Sequence, residues 1–443
     1  MKDGHRLKLA LFKKRPYRIV GFYTYTMVVD RKNAILEQVM AQYLRTSDFN
    51  GMGVASLVSA ADFSAVKELI AEGSLDLVRG DGHPNPHIKA FPADSIELQI
   101  EKIEAHGLEG CLYPTPRLLN ERNAGAGETA PYTRALKEGA PQLSFRTFDL
   151  RALEWYRNDP RFDFDVDDIH GRILQKQGTQ VADRAVVLDG LEFFEFGFAY
   201  DSERNRAVAA FIRYLHDLPE AQQVEMQKHE LTGTYKLHPD FYRTQIIGDF
   251  PERMSIYDAF LQEKMEINRI CELIGKPKLF RTEYGDLKRP RGFGILIRPT
   301  KKEFRDFALI LDQLLSDDLN RDFFKGDLEL NRNLTDEDGN RVTQPKGTIQ
   351  LLEEWIGAKF KPAEPADMAE LFGNLRAVRR VRQKPAHIVE DNEFDQKYVA
   401  EQRQLIIQAF DAVRTLRMVL ENHPAARDHE VPVYLRNAKV WTR

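Results

Sequence analysis

Two apolar stripes at helical spacing, separated by a basic turn that a proline breaks, constrain the C-terminal third of this chain more than any other feature. Met368, Leu371, Phe372, Leu375 and Val378 recur every three or four residues, which predicts an amphipathic helix starting at Pro365 and Asp367. Pro385 has no amide hydrogen and crowds the preceding turn, so this helix should stop near Gln383 or Lys384 and lead directly into Ala386 and His387. A second stripe, Phe394, Tyr398, Leu405, Ala409, Val413, Leu416 and Leu420, predicts a second long helix, ended by Asn422-His423-Pro424. Continuing the first stripe leads to Arg382. A guanidinium where an apolar side chain is expected points at a partner surface and needs an anion or a carboxylate.

The same helix end is basic. Arg376, Arg379, Arg380, Arg382 and Lys384 stand within nine residues that contain no acid, a patch that either binds RNA or forms a solvated helix face. A net charge of -4 and a pI near 6.3 give the chain no global attraction to nucleic acid, so any such contact must be local.

Arg382 and His387 at R-x4-H spacing in a helical C-terminal module resemble the HEPN superfamily of metal-independent ribonucleases, whose motif is R-x4-6-H. The resemblance covers at most the last 140 residues or so. It implies RNA cleavage with the substrate 2′-hydroxyl as nucleophile, at a site assembled from two copies of the motif across a homodimer. His387 would be the acid/base or hydrogen-bonding group, and Arg382 would stabilise charge on the phosphate. It implies neither metal nor cofactor. Gln383 stands where many members carry Asn or Asp. Two further matches to the spacing exist, Arg380 with His387 and Arg417 with His423; Arg382 is preferred because its stripe predicts its direction, whereas Arg417 lies one residue off its own stripe.

The expected fold class is α+β: mixed α/β regions at the N-terminus and in the middle, then an all-α, HEPN-like bundle. Three domains are expected, 1–178, 179–300 and 301–443, the first a possible winged-helix-like sensor. Residues 19–29 are β-branched and aromatic and read as a strand, 33–44 as a helix, 62–73 as a capped helix and 75–79 as a strand. Val186–Leu188 and Phe193–Phe198 read as strands, and Arg206–Leu215 and Ser255–Ile274 as helices. Helices are also expected from Lys302 to Leu315 and from Thr348 to Phe360, with a hairpin between them.

Other motifs point to little chemistry. His83 and His87 could ligate zinc on a helix, but Pro84 and Pro86 forbid one. Asp163, Asp165 and Asp167 alternate with Phe162, Phe164 and Val166, the pattern of a half-buried strand rather than a cation loop. The run Asp336–Asn340 places its glycine one position early for a calcium loop, and Arg291–Leu296 matches an RNA-recognition strand only in part, with Ile295 at an aromatic position. Cys111 and Cys271 are far apart and read as free thiols of a cytoplasmic protein; no apolar run is long enough for a membrane. P-loop, GxSxG, GxGxxG and HExxH signatures are absent.

Two expectations from different classes follow. One is a toxin or antiphage effector that cuts RNA, with its N-terminal part responding to a trigger ligand or protein. The other is a non-catalytic sensor or scaffold that binds nucleic acid or protein and dimerises through the same helices.

Overall fold

The architecture comes from a computed structural model, which describes residues 20–45, 48–57, 59–81, 83–178, 191–285, 289–335, 341–361, 365–383 and 391–441. Side chains are described from residue 31 onward. The fold is α+β, with several sheets and a helical C-terminal part. The expected strand at 186–188 lies outside the described residues, as do Lys384 and His387. No helix among the described residues is long and apolar enough to cross a membrane.

The chain forms two compact units, Met1–Ser144 with Phe211–Asp217, and Phe145–Ala210 with Leu218–Arg443. In the first, α1 (Val20–Arg45) is followed by β1 (Met52–Gly53), α2 (Ala60–Ala71), β2 (Leu75–Val78), α3 (Ile96–His106), β3 (Cys111–Pro114), α4 (Pro116–Glu121) and α5 (Pro131–Lys137). Helix α1 begins where a strand was expected: residues 20–29 are helical, continuous with the amphipathic segment whose Ile35, Val39 and Tyr43 are buried. Strand propensity is a weak preference that tertiary packing overrides. Helix α2 starts with a reciprocal cap between Ser59 and Asp62, and its chain reverses at Gly73, whose φ of 68° suits glycine. The sheet order is β1-β3-β2, antiparallel throughout, and its central Leu112 and Tyr113 are fully buried.

The second unit starts with β4 (Phe145–Phe148), α6 (Glu154–Asn158), β5 (Phe162–Val166), β6 (His170–Gln175), β7 (Phe193–Tyr200) and β8 (Arg206–Phe211). Residues 206–211 were expected to be helical. They pair antiparallel with β7, and the helix, α7 (Ile212–His216), starts only after Phe211 and belongs to the first unit. A run such as Arg206-Ala-Val-Ala-Ala-Phe211 that is buried on both faces carries no periodicity to separate strand from helix. Then come α8 (Glu220–Lys228), β9 (Lys236–Leu237), α9 (Pro239–Tyr242), β10 (Met254–Ser255), α10 (Ile256–Leu273), α11 (Lys301–Leu315), β11 (Asn331–Thr335), β12 (Arg341–Pro345), α12 (Thr348–Lys359), α13 (Pro365–Gln383), α14 (Lys397–Glu421), α15 (Val433–Arg436) and β13 (Val440–Trp441).

Strands β4-β8-β7-β6-β5 form one sheet, and β9 takes the β6 side of β7 beyond Gly197. The domain boundary expected near 178 falls between β6 and β7, which are hydrogen-bonded neighbours. Residues 291–296 form turns and bends rather than a strand. Helices α10, α11, α13 and α14 make a bundle, in which α14 packs on all three others and α11 also packs on α13. The face expected on α11 is buried as a set: Phe304, Phe307, Ala308, Leu311, Leu314 and Leu315.

Asp168, between β5 and β6, joins this sheet to the bundle. Its side chain is fully buried and accepts from Ser255 Oγ at 2.8 Å, from the Ile256 amide at 3.2 Å and from Arg403 Nη1 at 2.6 Å. Those donors stand at the N-terminus of α10 and on α14. Nearby, Asp258 in the first turn of α10 lies 3.1 Å from Arg289, which also reaches Asp165 of β5. Burial pushes the Asp258 carboxyl up to about 6, against the pull of Arg289.

Asp168→Ala should cost about 3 kcal/mol, because it takes the buried acceptor from the half-buried Arg403, from Ser255 and from a helix-terminal amide, and denaturant unfolding will measure this. A carboxyl whose folded pKa exceeds its ordinary value of 3.8 takes up its proton first in the folded state. Asp258 therefore makes stability fall as pH rises from about 4 to about 6. Thermal melts across that window should show this slope in the native chain and its loss in Asp258→Asn.

Candidate functional site

Helix α13 is described as far as Gln383, the residues around the expected stop at Pro385 lying outside the described residues, and it buries Leu371, Phe372, Leu375 and Val378. Arg382 follows that stripe and finds carboxylates. Its Nη1 donates to Asp312 at 2.6 Å and to Asp317 at 2.5 Å. Asp312 is almost fully buried on the last turns of α11, and Asp317 lies just beyond the helix. A cation there also faces the negative end of the α11 dipole. The hydrogen bonds that Arg382 donates to Asp312 and Asp317 raise its pKa further, so its charge is permanent.

Both carboxylates take the same nitrogen. The Nε and Nη2 groups of Arg382, the side edge of the fork, have no hydrogen-bond partner among the described residues. That edge carries two parallel N–H donors, the geometry that grips a phosphate with two bonds. The side chain is about one-third exposed.

Three of the expected RNA-binding residues, Arg376, Arg379 and Arg380, lie among the described residues and differ in what they contact. Arg376 pairs with Glu353 of α12 and stacks over the Phe372 ring, 6.0 Å from its centroid. Arg380 is exposed, with no ion pair among the described residues. Arg379 is half-buried and lines a cavity with Arg281, Arg321 and Lys346. Sequence reading missed Asp312 and Asp317 as partners of Arg382, and missed the three distant cations beside Arg379. Charge runs are visible along a chain, whereas pairings over 65 or 70 residues are set only by how α11 and α13 dock.

The second motif match has a different character. Arg417 is buried to 2% exposure and donates to both oxygens of the fully buried Glu263 on α10, and to Glu421 at 2.6 Å. Its position beside the α14 stripe thus points inward, contrary to the expectation from spacing. Burial holds the Glu263 pKa above its ordinary value despite Arg417. His423 accepts from the Ala425 amide at 3.2 Å and caps a short turn. The pair serves packing and chain reversal.

The two histidines of the proline-rich loop also turn to the backbone. His83 Nδ1 lies 3.1 Å from the Asn85 carbonyl oxygen, and His87 Nδ1 lies 2.9 Å from that of Gly51. Among the described residues, no group of three or more His, Cys, Asp or Glu is placed to hold a metal ion.

Comparison of the chain with family models, with curated proteins and with solved structures finds no match.

Arg417→Ala should destabilise the protein by about 3–5 kcal/mol, since it leaves Glu263 charged or protonated in the bundle without a partner. His423→Ala should cost about 1 kcal/mol or less, the scale of a lost cap. Urea unfolding of the two variants separates a buried structural arginine from an exposed turn histidine.

Proposed function

We propose that this chain is a metal-independent endoribonuclease of HEPN type, a regulated toxin or antiphage effector that works as a homodimer through its C-terminal helices. The observation that carries this reading is the fork of Arg382, anchored through one nitrogen by Asp312 and Asp317 and unengaged along its Nε–Nη2 edge. Anchoring fixes the rotamer before a substrate arrives, which reduces the ordering cost on binding. In the reaction the 2′-hydroxyl attacks the adjacent phosphorus, the bond to the 5′-oxygen breaks, and a 2′,3′-cyclic phosphate and a 5′-hydroxyl end result. Arg382 offsets the charge growing on the phosphate oxygens, and His387 moves a proton to or from the sugar oxygens. Pairing of α13 with α14 in a four-helix arrangement is the scaffold that the resemblance of the Arg382/His387 junction calls for.

One observation favours the non-catalytic alternative. Arg382 also ties α11 to α13, and two carboxylates on one guanidinium leave that corner net negative. A scaffold needs that clamp and has no use for His387.

The test is RNA integrity and cell growth on expression of the native chain, His387→Ala, Arg382→Lys and His423→Ala at matched abundance, with thermal melts as a folding control. Loss of cleavage by about 100-fold or more in His387→Ala and Arg382→Lys, with His423→Ala active, is expected. Lysine keeps the charge and loses the fork. Intact RNA in every strain under a condition where the protein has a phenotype would leave the scaffold reading in its place.

A further inference from the structure

We propose that the cavity of about 660 Å³ lined by Arg281, Arg321, Lys346 and Arg379 is a binding site for phosphate-bearing anions. This inference goes beyond the catalytic reading, since it requires phosphate binding and not cleavage.

The four cations come from separate parts of the second unit: the loop after α10, the short turn after α11, the residue after β12 and the last turns of α13. What matters is how each charge is compensated. Arg321 donates to the carbonyl oxygens of Lys346 at 2.6 Å and Leu330 at 2.9 Å, and Arg281 to the carbonyl oxygen of Asp317. Carbonyl oxygens fix a guanidinium without cancelling its charge. Arg379 has no ion pair among the described residues. Lys346 alone is paired, with Glu354 at 2.6 Å.

Two acids also line the cavity: Asp322 holds Lys325 at 2.5 Å outside the lining, whereas Asp317 shares Arg382 with Asp312 and so offsets part of the cavity's charge. Three arginines without a carboxylate of their own therefore face at most one incompletely matched acid, and a positive excess remains. Like charges gathered around one cleft repel, and a bound anion relieves the repulsion. Arginine forks match tetrahedral oxyanions, and the volume lies in the range that admits a nucleotide.

Gly347 and Thr348 complete the rim at the start of α12, a helix whose N-terminus has no capping side chain. Its free amides add to the attraction of the cations but do not create the site. Asp317 is shared between the cavity and Arg382, so a phosphate chain seated among the arginines would lie beside the anchored fork.

Two sources offer this chemistry, an RNA backbone or a free nucleotide or pyrophosphate, and one set of proteins distinguishes them. The full chain carrying His387→Ala is the parent, so that cleavage cannot consume the probe. Its Arg281→Ala/Arg379→Ala derivative is compared with an Arg376→Ala/Arg380→Ala derivative, which removes two cations of the same helix that do not line the cavity. Binding of a fluorescein-labelled 12-nucleotide RNA is followed by anisotropy between 50 and 200 mM salt. Binding of ADP and pyrophosphate is followed by thermal shift.

Seating of a strand predicts that the cavity variant binds RNA about tenfold or more weakly and loses about 1.4 from its salt slope, about 0.7 for each phosphate contact. The helix-face variant should lose far less. Seating of a free phosphate compound predicts that ADP or pyrophosphate raises the melting temperature of the parent and not of the cavity variant. If that variant does not fold, Arg379→Glu alone, a change on a half-buried helix position, is read in the same assays. The proposal is overturned if RNA, ADP and pyrophosphate all bind the cavity variant as they bind the parent, or if the helix-face variant loses as much.

Discussion

The second unit depends on one buried carboxylate. Asp168 ends its strand hairpin inside the protein, and its oxygens accept from the N-terminus of α10 and from Arg403 of α14. Arg403 in turn donates to the Trp441 carbonyl oxygen at 2.8 Å, and the Trp441 indole donates to Asp240 at 2.7 Å. A sheet edge, two bundle helices and the end of the chain therefore meet in one chain of directional bonds. Apolar packing alone tolerates sliding of a helix against a sheet by a fraction of a turn. A carboxylate with three donors does not, so it selects one docking of the bundle on the sheet.

The two arginines that match the motif spacing show how partner geometry separates structural from chemical roles. Arg417 spends its fork on Glu263 and its remaining nitrogen on Glu421, deep between α10 and α14. Nothing is left to offer a substrate. Arg382 spends one nitrogen at a helix end and keeps two donors on its outer edge. The same residue type in the same R-x4-6-H pattern is thus a rivet in one helix and a positioned donor in the other. The distinction lies in which nitrogen is used, which no sequence pattern encodes.

Legibility in the sequence followed periodicity. The helices at 301–315, 348–359, 365–383 and 397–421 were readable because one face of each is apolar and the other polar, and because proline, glycine and serine mark their ends. The reading failed where both faces are buried, as in β8, whose Ala207 to Phe211 are all inaccessible and so carry no alternation. It failed again at 20–29, where aromatic and β-branched residues belong to a helix. At the site, the direction of Arg382 was legible from the stripe and its need for a carboxylate from its charge. Which carboxylates, and the grouping of Arg379 with three cations far away in the chain, are products of tertiary docking. Asp168 was visible only as the last of a run of acids, with nothing to mark it as the one that turns inward.

The return of Phe211–Asp217 to the first unit has a consequence for the order of events during synthesis. Helix α7 packs on α5, and the Ile212 amide donates to the Ser144 carbonyl oxygen at 2.8 Å. A nascent chain that has reached Ser144 therefore lacks a piece of its first unit, and at ~5–20 residues per second that piece follows on the order of 4–15 s later. In the interval the strands β4 to β8 are synthesised, so the last piece of the first unit appears only after most strands of the other unit's sheet have been made. The two units are interleaved along the chain and in time, and a cut made at either end of 211–217 divides one folding event rather than two domains.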